Sequence, residues 1–296
     1  MDVESLRKAG KIAAEAREFG KNLVKSGSKV VEVCDKIEAK IASLGGQPAF
    51  PVQVSLNHIA AHSCPDLNDE ATFTDQLVKL DLGVAVNGMI GDNAVSIDLS
   101  GNHADLIKAA EEARDKALDL VKEKGENVTL AEIGRTIETT IHSYNFKPIR
   151  NLSGHGLGEN LIHTPPTIPN HDTGEDVKLG KGVFAIEPFS TTGAGLVAEG
   201  EHEANIFSLV APKPIRSVFA RQILQHIEKE YSTLPFTTRW LMAKFGEGKT
   251  KLGLKELRQV GAIHAYPPLF ERGKGVVAQA EHTILIDDKV EIITQT

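Results

Sequence analysis

The sequence predicts an α+β protein in which long helices are followed by antiparallel β-hairpins. Three observations support this fold class: apolar residues recur at helical spacing, short apolar strand-like runs lie between those segments, and Asn87-Gly88 joins two such runs. The 296 residues suffice for one large or two ordinary domains. With 41% hydrophobic and 25% charged residues, disordered and fibrous proteins are excluded, and a net charge of −7 argues against a general nucleic-acid binder.

Four helices are predicted in the first half of the chain. The first covers 3–24, and the second runs from about residue 28 to the glycines at 45 and 46. The third covers 103–124 and ends at Gly125. The fourth begins at Thr129, which with Glu132 forms a capping-box pattern.

Strands are predicted from short apolar runs rich in β-branched residues. The runs cover 77–86, 89–98, 182–187, 204–210, 275–286 and 289–294. Asn-Gly favours a two-residue turn because both central residues of a type I′ turn need a positive φ. Pairing Val86 with Met89 would place Asp81 opposite Ala94, and Asp92 opposite Gly83. Asp81 and Asp92 are then diagonal neighbours on one face of the hairpin.

Four acidic residues lie in or at the end of apolar strand runs, where acids are uncommon: Asp81, Asp92, Glu187 and Glu281. His155 lies between them in the chain, in a Gly-rich stretch predicted as a loop. Solvated acids and an incidental histidine are the alternative interpretation. Buried carboxylates, however, need a compensating charge. Oxygen ligands with one imidazole suit two divalent ions such as Mn, Fe, Co or Zn.

These five residues resemble, in order and in local context, the metal ligands of the pita-bread metallopeptidases. That family includes methionine aminopeptidase, aminopeptidase P and prolidase. The flanks at 60–62, 154–156, 184–188 and 279–283 resemble methionine aminopeptidase specifically. Glu187 and Glu281 are 94 residues apart, which resembles the type II enzymes in their short archaeal-style form. The resemblance implies two pseudosymmetric αβ halves around a curved antiparallel sheet.

A basic segment fills the gap between the last two acids. Residues 213–260 carry ten Lys and Arg against four Glu, or +6, so the remainder of the chain carries −13. Helices are predicted there over 215–230, 237–245 and 252–259, with a Gly-rich break before the last. We therefore predict a catalytic domain formed by 1–212 and 274–296, interrupted by a helical, winged-helix-like insert at 213–273.

The resemblance implies hydrolytic removal of N-terminal Met from nascent proteins and peptides, with a preference for a small second residue. Two divalent ions (Co, Mn, Fe or Zn) would activate the water. Glu187 would act as general base and then acid, and His62 and His163 would bind the substrate and donate hydrogen bonds to its reacting carbonyl. Further substrate-binding residues implied by matching position are Phe50, Ile162, Phe189, His264 and Tyr266.

Two positions depart from the family pattern. Asn93 follows the second Asp where the family usually has Thr or Ser, and Thr164-Pro165-Pro166 follows His163 where small residues are common. The first change concerns hydrogen bonds near the metal ligands, and the second concerns the shape of the substrate mouth.

Location, partners and competing functions are also predicted. No signal peptide or apolar run of membrane-spanning length is visible, so we expect a cytoplasmic monomer that contacts no membrane. The basic insert is expected to dock weakly on ribosomal RNA, or else to be a solvated helical face. The alternatives are an aminopeptidase P or prolidase-type enzyme and a non-catalytic ribosome- or RNA-binding relative. Cys64, two residues after His62, is interpreted as a bystander thiol.

Overall fold

A computed structural model describes residues 1–200 and 203–295, which form seven α-helices packed on antiparallel sheets. The helices are α1 (Val3–Leu23), α2 (Val30–Ser43), α3 (Ala104–Lys124), α4 (Leu130–Ser143), α5 (Val218–Glu230), α6 (Thr238–Phe245) and α7 (Glu247–Gln259). A 3₁₀ turn at Gly125–Asn127 separates α3 from α4. Among these described helices, none combines the length and apolar character needed to cross a membrane.

The strands of the described chain are mostly short. They are β1 (Gln47–Pro48), β2 (Gln53–Leu56), β3 (Ile59–Ala61), β4 (Leu77–Val86), β5 (Met89–Asp98), β6 (Lys147–Pro148), β7 (Ser153–Gly158), β8 (Leu161–Pro169), β9 (Gly182–Ile186), β10 (Phe189–Thr191), β11 (Val197–Glu199), β12 (Ile206–Leu209), β13 (Phe236–Thr237), β14 (Ile263–Tyr266), β15 (Leu269–Glu271), β16 (Val277–Gln279), β17 (His282–Ile286) and β18 (Val290–Ile292). They pair in the orders β1-β4-β2 with β5 on β4, β16-β10-β6, β11-β15-β3, β13-β12-β14 and β18-β17-β9-β7-β8.

The two halves of the chain follow the same plan, as the predicted fold requires. Each half begins with two helices and a two-residue strand and continues into antiparallel hairpins. In the first half, α1 and α2 bury their apolar faces against β4. In the second half, α3 and α4 pack on β9 and β17. The helices therefore cover one face of the sheets and leave the other face for the site.

The predicted β4–β5 register is confirmed. The observed pairs include Val86 with Met89, Asp81 with Ala94, and Gly83 with Asp92. Asn87 and Gly88 have φ values of 48° and 80°, as the tight turn requires. The capping box at Thr129 is also present, since its side chain accepts from the Glu132 N–H and the Glu132 carboxylate accepts from the Thr129 N–H. Local sequence thus determines both features.

The single strand predicted over 275–286 is wrong, and Glu281 does not lie in mid-strand. Two strands occupy this segment, and Glu281 lies in the break between them. The break arises because β16 pairs with β10 whereas β17 pairs with β9, and the interruption between those partners contains Glu187 and Pro188. At the break, the Glu281 N–H donates instead to the carbonyl of Ala94 on β5, 3.2 Å away.

Two further expectations need correction. His155 lies in strand β7 rather than in a loop, because β7 is paired on both sides, with β8 and with β9. The last helix of the basic segment begins at Glu247 rather than at 252. The break is confined to Gly246, whose φ of 80° separates α6 from α7. Gly248 lies in the first turn of α7, where its low helix propensity is tolerated.

A close helix–sheet contact gives a stability prediction. A Cβ added at Gly91 on β5 would lie 2.7 Å from the backbone Cα and N of Gly10 on α1. We expect Gly91→Ala to destabilise the protein by about 1–3 kcal/mol, because α1 must shift from the sheet. Urea unfolding would measure the change.

Gly248→Ala provides the control, since nothing lies within 4 Å of the added methyl and the site is helical. This variant should be unchanged or more stable by up to about 1 kcal/mol. Equal unfolding midpoints for Gly91→Ala and the parent would contradict the predicted packing.

Candidate functional site

The predicted acids and histidine meet at one place. Ligand atoms of Asp92, His155 and Glu281 all lie within 4.8 Å of one another. The Nε2 atom of His155 is 3.4 Å from Glu187 Oε1 and 3.9 Å from Asp92 Oδ2. Asp81 lines the same cavity. Residues up to 200 positions apart in the chain are thus brought together.

Each of these side chains belongs to a strand or to a residue next to one. Asp81 and Asp92 belong to the β4–β5 hairpin, on one face because of the register. His155 is held in the middle of a sheet between β8 and β9. Glu187 directly follows β9, and Glu281 lies in the β16–β17 break. Two paired strands of the first half and three segments of the second half therefore form the site.

The electrostatics of the site favour a bound cation. Burial, reinforced by the neighbouring carboxylates, raises the pKa values of Asp92, Glu187 and Glu281. Burial also raises the pKa of Asp81 to about 7 and lowers that of His155 to about 3. The Oδ1 atoms of Asp81 and Asp92 are buried and accept no hydrogen bond from the described residues. An oxygen-rich donor set with one neutral imidazole and open lone pairs fits a divalent metal.

Two hydrogen-bonding residues at the site were not identified from the sequence. Gln279 Nε2 donates to Asp81 Oδ2 at 3.3 Å and to Glu187 Oε2 at 3.4 Å. The Thr283 hydroxyl accepts from the Asp92 N–H and donates to the Asp92 carbonyl, both at 2.8 Å. Each lies two residues from Glu281. This short spacing from a proposed ligand is the feature of the sequence from which they could have been predicted.

A cavity of about 460 Å³ adjoins the acids and the histidine. Its walls include six of the seven residues predicted to bind substrate: Phe50, His62, Ile162, His163, Phe189 and Tyr266. The seventh, His264, is not in the lining and is exposed, with its ring edge against Tyr266 at 4.7 Å between centroids. Gln53, Asn151, Ser153, Ile206 and Pro235 also line the cavity and were not predicted.

Of the two histidines predicted to bind substrate, His163 lies beside His155, and His62 lines the same cavity. The His163 ring is 4.5 Å from that of His155 in an edge-to-face arrangement. His62 contacts Tyr266 edge-on at 5.6 Å, and Tyr266 lies 6.2 Å from His163. Burial lowers the pKa of His62 to about 4, so its imidazole is neutral at pH 7. A neutral imidazole can donate one hydrogen bond to a substrate oxygen.

The residues that depart from the family pattern, and the Cys64 thiol, lie in different surroundings. Asn93 is fully buried and, by strand alternation, faces the opposite side of β5 from Asp92; its Nδ2 donates to the Leu82 carbonyl at 3.4 Å. Thr164 and Pro165 line the cavity. The Cys64 thiol packs against Thr237, and burial raises its pKa to about 11, so it is not an activated nucleophile.

Comparison with known protein families gives a match over nearly the whole chain. The model of metallopeptidase family M24 matches residues 4–288. The methionine aminopeptidase of Archaeoglobus fulgidus is 43% identical over 293 residues, covering 98% of this chain and 97% of the relative. That of Methanocaldococcus jannaschii is 43% identical over 302 residues, covering 100% of both chains.

Solved structures share the fold. A thermophilic Arx1 superposes with a TM-score of 0.84 at 18% identity, over 98% of this chain and 90% of that one. A methionine aminopeptidase from Thermotoga maritima superposes with a TM-score of 0.71 at 23% identity, over 100% and 97% of the two chains. At these identities the likeness concerns the architecture.

Proposed function

The chain belongs to metallopeptidase family M24, and from that premise we propose that it is a type II methionine aminopeptidase. The resemblance drawn from the sequence motifs and the predicted pita-bread fold are both confirmed. The observation that carries the function is the end-to-end similarity to methionine aminopeptidases. The convergence of the acids and His155 on one cavity supports it.

A divalent metal is required by this family of metallopeptidases. The buried, unpartnered carboxylate oxygens fit such an ion. We infer that two ions (Co, Mn, Fe or Zn) would be held by one set of ligands: Asp81, Asp92, His155, Glu187 and Glu281. When bound, divalent metal supplies Lewis-acid chemistry that makes water acidic enough to attack an amide at neutral pH.

The proposed catalytic roles fall to three side chains beside this group. Glu187 would accept the proton of the attacking water and return it to the leaving amine. His62 and His163 would donate hydrogen bonds to the scissile carbonyl oxygen as it gains negative charge. A donor placed in this way contributes roughly 3 kcal/mol at the transition state.

The substrate would be an N-terminal methionine followed by a small residue, as on a nascent chain. Phe50, Ile162 and Phe189 are buried apolar residues in the cavity wall that would contact the Met side chain. Tyr266 closes the adjoining wall. His264 is exposed, and a role for it would depend on its contact with Tyr266 rather than on direct contact with substrate.

The alternatives are less well supported. A prolidase or aminopeptidase P would share the fold, but the curated relatives that match end to end are methionine aminopeptidases. A non-catalytic RNA-binding relative would not need four buried acids around one histidine. The predicted insert at 213–273 remains a proposal, as do a cytoplasmic location and a monomeric state.

Metal dependence is the first test. Glu281→Ala should bind at least one ion fewer than the parent, by metal analysis after dialysis. Affinity should rise with pH through the neutral range, because burial raises the pKa of the carboxyls and metal must displace their protons. Activity on a Met-Ala-Ser peptide should be lost in chelator and return with added metal. Full cleavage in excess chelator would contradict the proposal.

The histidine roles give the second test. His163→Ala and His62→Ala should fold and bind metal as the parent does but lose about 100-fold in kcat, with smaller changes in KM. The loss falls in kcat because a donor that acts on the transition state contributes little to ground-state binding. Parent-like turnover in either variant would reject its role.

Ribosome docking gives the third test. Lys244, Lys249, Lys251 and Lys255 are exposed on α6 and α7, and we propose that they attract ribosomal RNA weakly. Reversing all four to Glu should reduce co-sedimentation with ribosomes at low salt and leave peptide hydrolysis unchanged.

The matched control reverses four exposed lysines outside this segment, namely Lys36, Lys116, Lys122 and Lys181. It makes the same change in net charge. Equal sedimentation of the two quadruple variants would mean that the basic face is only solvated.

A further inference from the structure

An unusual backbone turn places His62 beside the cavity. His62 directly follows β3 and has a φ of 61°, which non-glycine residues seldom adopt. The residues on either side remain paired: Ala61 is opposite Leu269, and the Ser63 carbonyl accepts from the Val54 N–H at 2.8 Å. The chain therefore turns locally at His62 while the residues on either side stay paired, and the β15–β3 register shifts between Leu269 and Phe270.

The turn leaves the His62 N–H without a backbone partner, and a side chain supplies one. Gln53 Oε1 accepts this N–H at 2.7 Å. Buried backbone donors need an acceptor, so this bond stabilises the left-handed conformation. No other hydrogen bond to the His62 N–H is seen among the described residues.

Gln53 itself belongs to the site. It is opposite Asp81 in the β2–β4 pairing, is buried, and lines the same cavity as His62. Strand packing alone does not call for a polar side chain at a buried position. The hydrogen bond from the His62 N–H explains why an amide is present here.

We propose that Gln53 is a positioning residue: its carbonyl oxygen fixes the backbone of His62 and thereby directs the imidazole into the cavity. The ring itself contacts Tyr266 edge-to-face at 5.6 Å and the backbone of Pro267. Without the Gln53 acceptor, the backbone can relax and the imidazole turns away from the reacting carbonyl. This inference rests on the proposed aminopeptidase function and on the role given there to His62.

A double-mutant cycle tests the inference. Gln53→Met removes the acceptor and keeps similar volume. We expect it to lower kcat about 10- to 100-fold, with a much smaller change in KM, because small misplacement of a catalytic group is costly. In the His62→Ala background, Gln53→Met should cause no further loss, because Gln53 acts through His62.

A matched control exists on the same side of the fold. Gln76 Oε1 also accepts a backbone N–H, that of Thr74, at 2.6 Å, but Gln76 is outside the cavity lining. Gln76→Met should leave kcat and KM unchanged. Metal content should match the parent in both single variants, and Gln53→Met should remain folded although the loss of the acceptor lowers its unfolding temperature. If Gln53→Met does not fold, Gln53→Ala, which removes the same acceptor, takes its place in the experiment.

Each outcome separates this inference from the proposed function. Parent-like kcat in Gln53→Met, with His62→Ala impaired, overturns the positioning role and leaves the aminopeptidase proposal intact. An additional loss in the double variant also overturns it, since Gln53 would then act on substrate directly. An inactive parent would instead refute the proposed function, and a fully active His62→Ala variant would reject the role of His62 on which this inference rests.

Discussion

The burial of four carboxylates around one imidazole is the constraint on which the structure depends. Taking each charge out of water costs several kcal/mol, and like charges at short range add to that cost. The resulting upward shifts of the carboxyl pKa values describe a site that is incomplete without positive charge. A divalent metal, which the family requires, would offset the unfavourable free energy of burying these like charges together. The rest of the fold holds the acids where a cation can bind all of them.

Bonds between the halves of the fold provide this rigidity. The Glu281 N–H donates to Ala94 on β5, and Thr283 bonds to both backbone groups of Asp92. Lys79, two residues before Asp81, is fully buried and donates to the Val277 carbonyl at 2.8 Å. The first hairpin and the C-terminal strands are thereby joined beside the four acids and His155. A displacement of either half would separate these side chains.

The basic segment also contributes to the cavity beside the acids and His155, since Pro235 lines it. Its helix α6 is anchored by Arg239, whose buried guanidinium pairs with Glu38 at 2.7 Å and with Asp35, both on α2. Because β12 pairs with β13 and β14, Ile206 and Tyr266 are brought to the cavity wall. The sheet in this region includes β12, which precedes the predicted boundary at 213. The net charge of the segment did not predict that it would help to form the cavity.

Features that depend on neighbours a few residues away could be predicted from the chain alone. Asn87-Gly88 set the β4–β5 register, and with it the common face of Asp81 and Asp92, through the positive φ that the turn demands. The motifs around the acids and His155 identified the family. Tertiary structure alone decided the break at Glu281, the strand that contains His155, the exclusion of His264 from the lining and the contact of Gln53 with His62. These features depend on which distant strand supplies each hydrogen-bond partner, and partner choice leaves no local pattern in the chain.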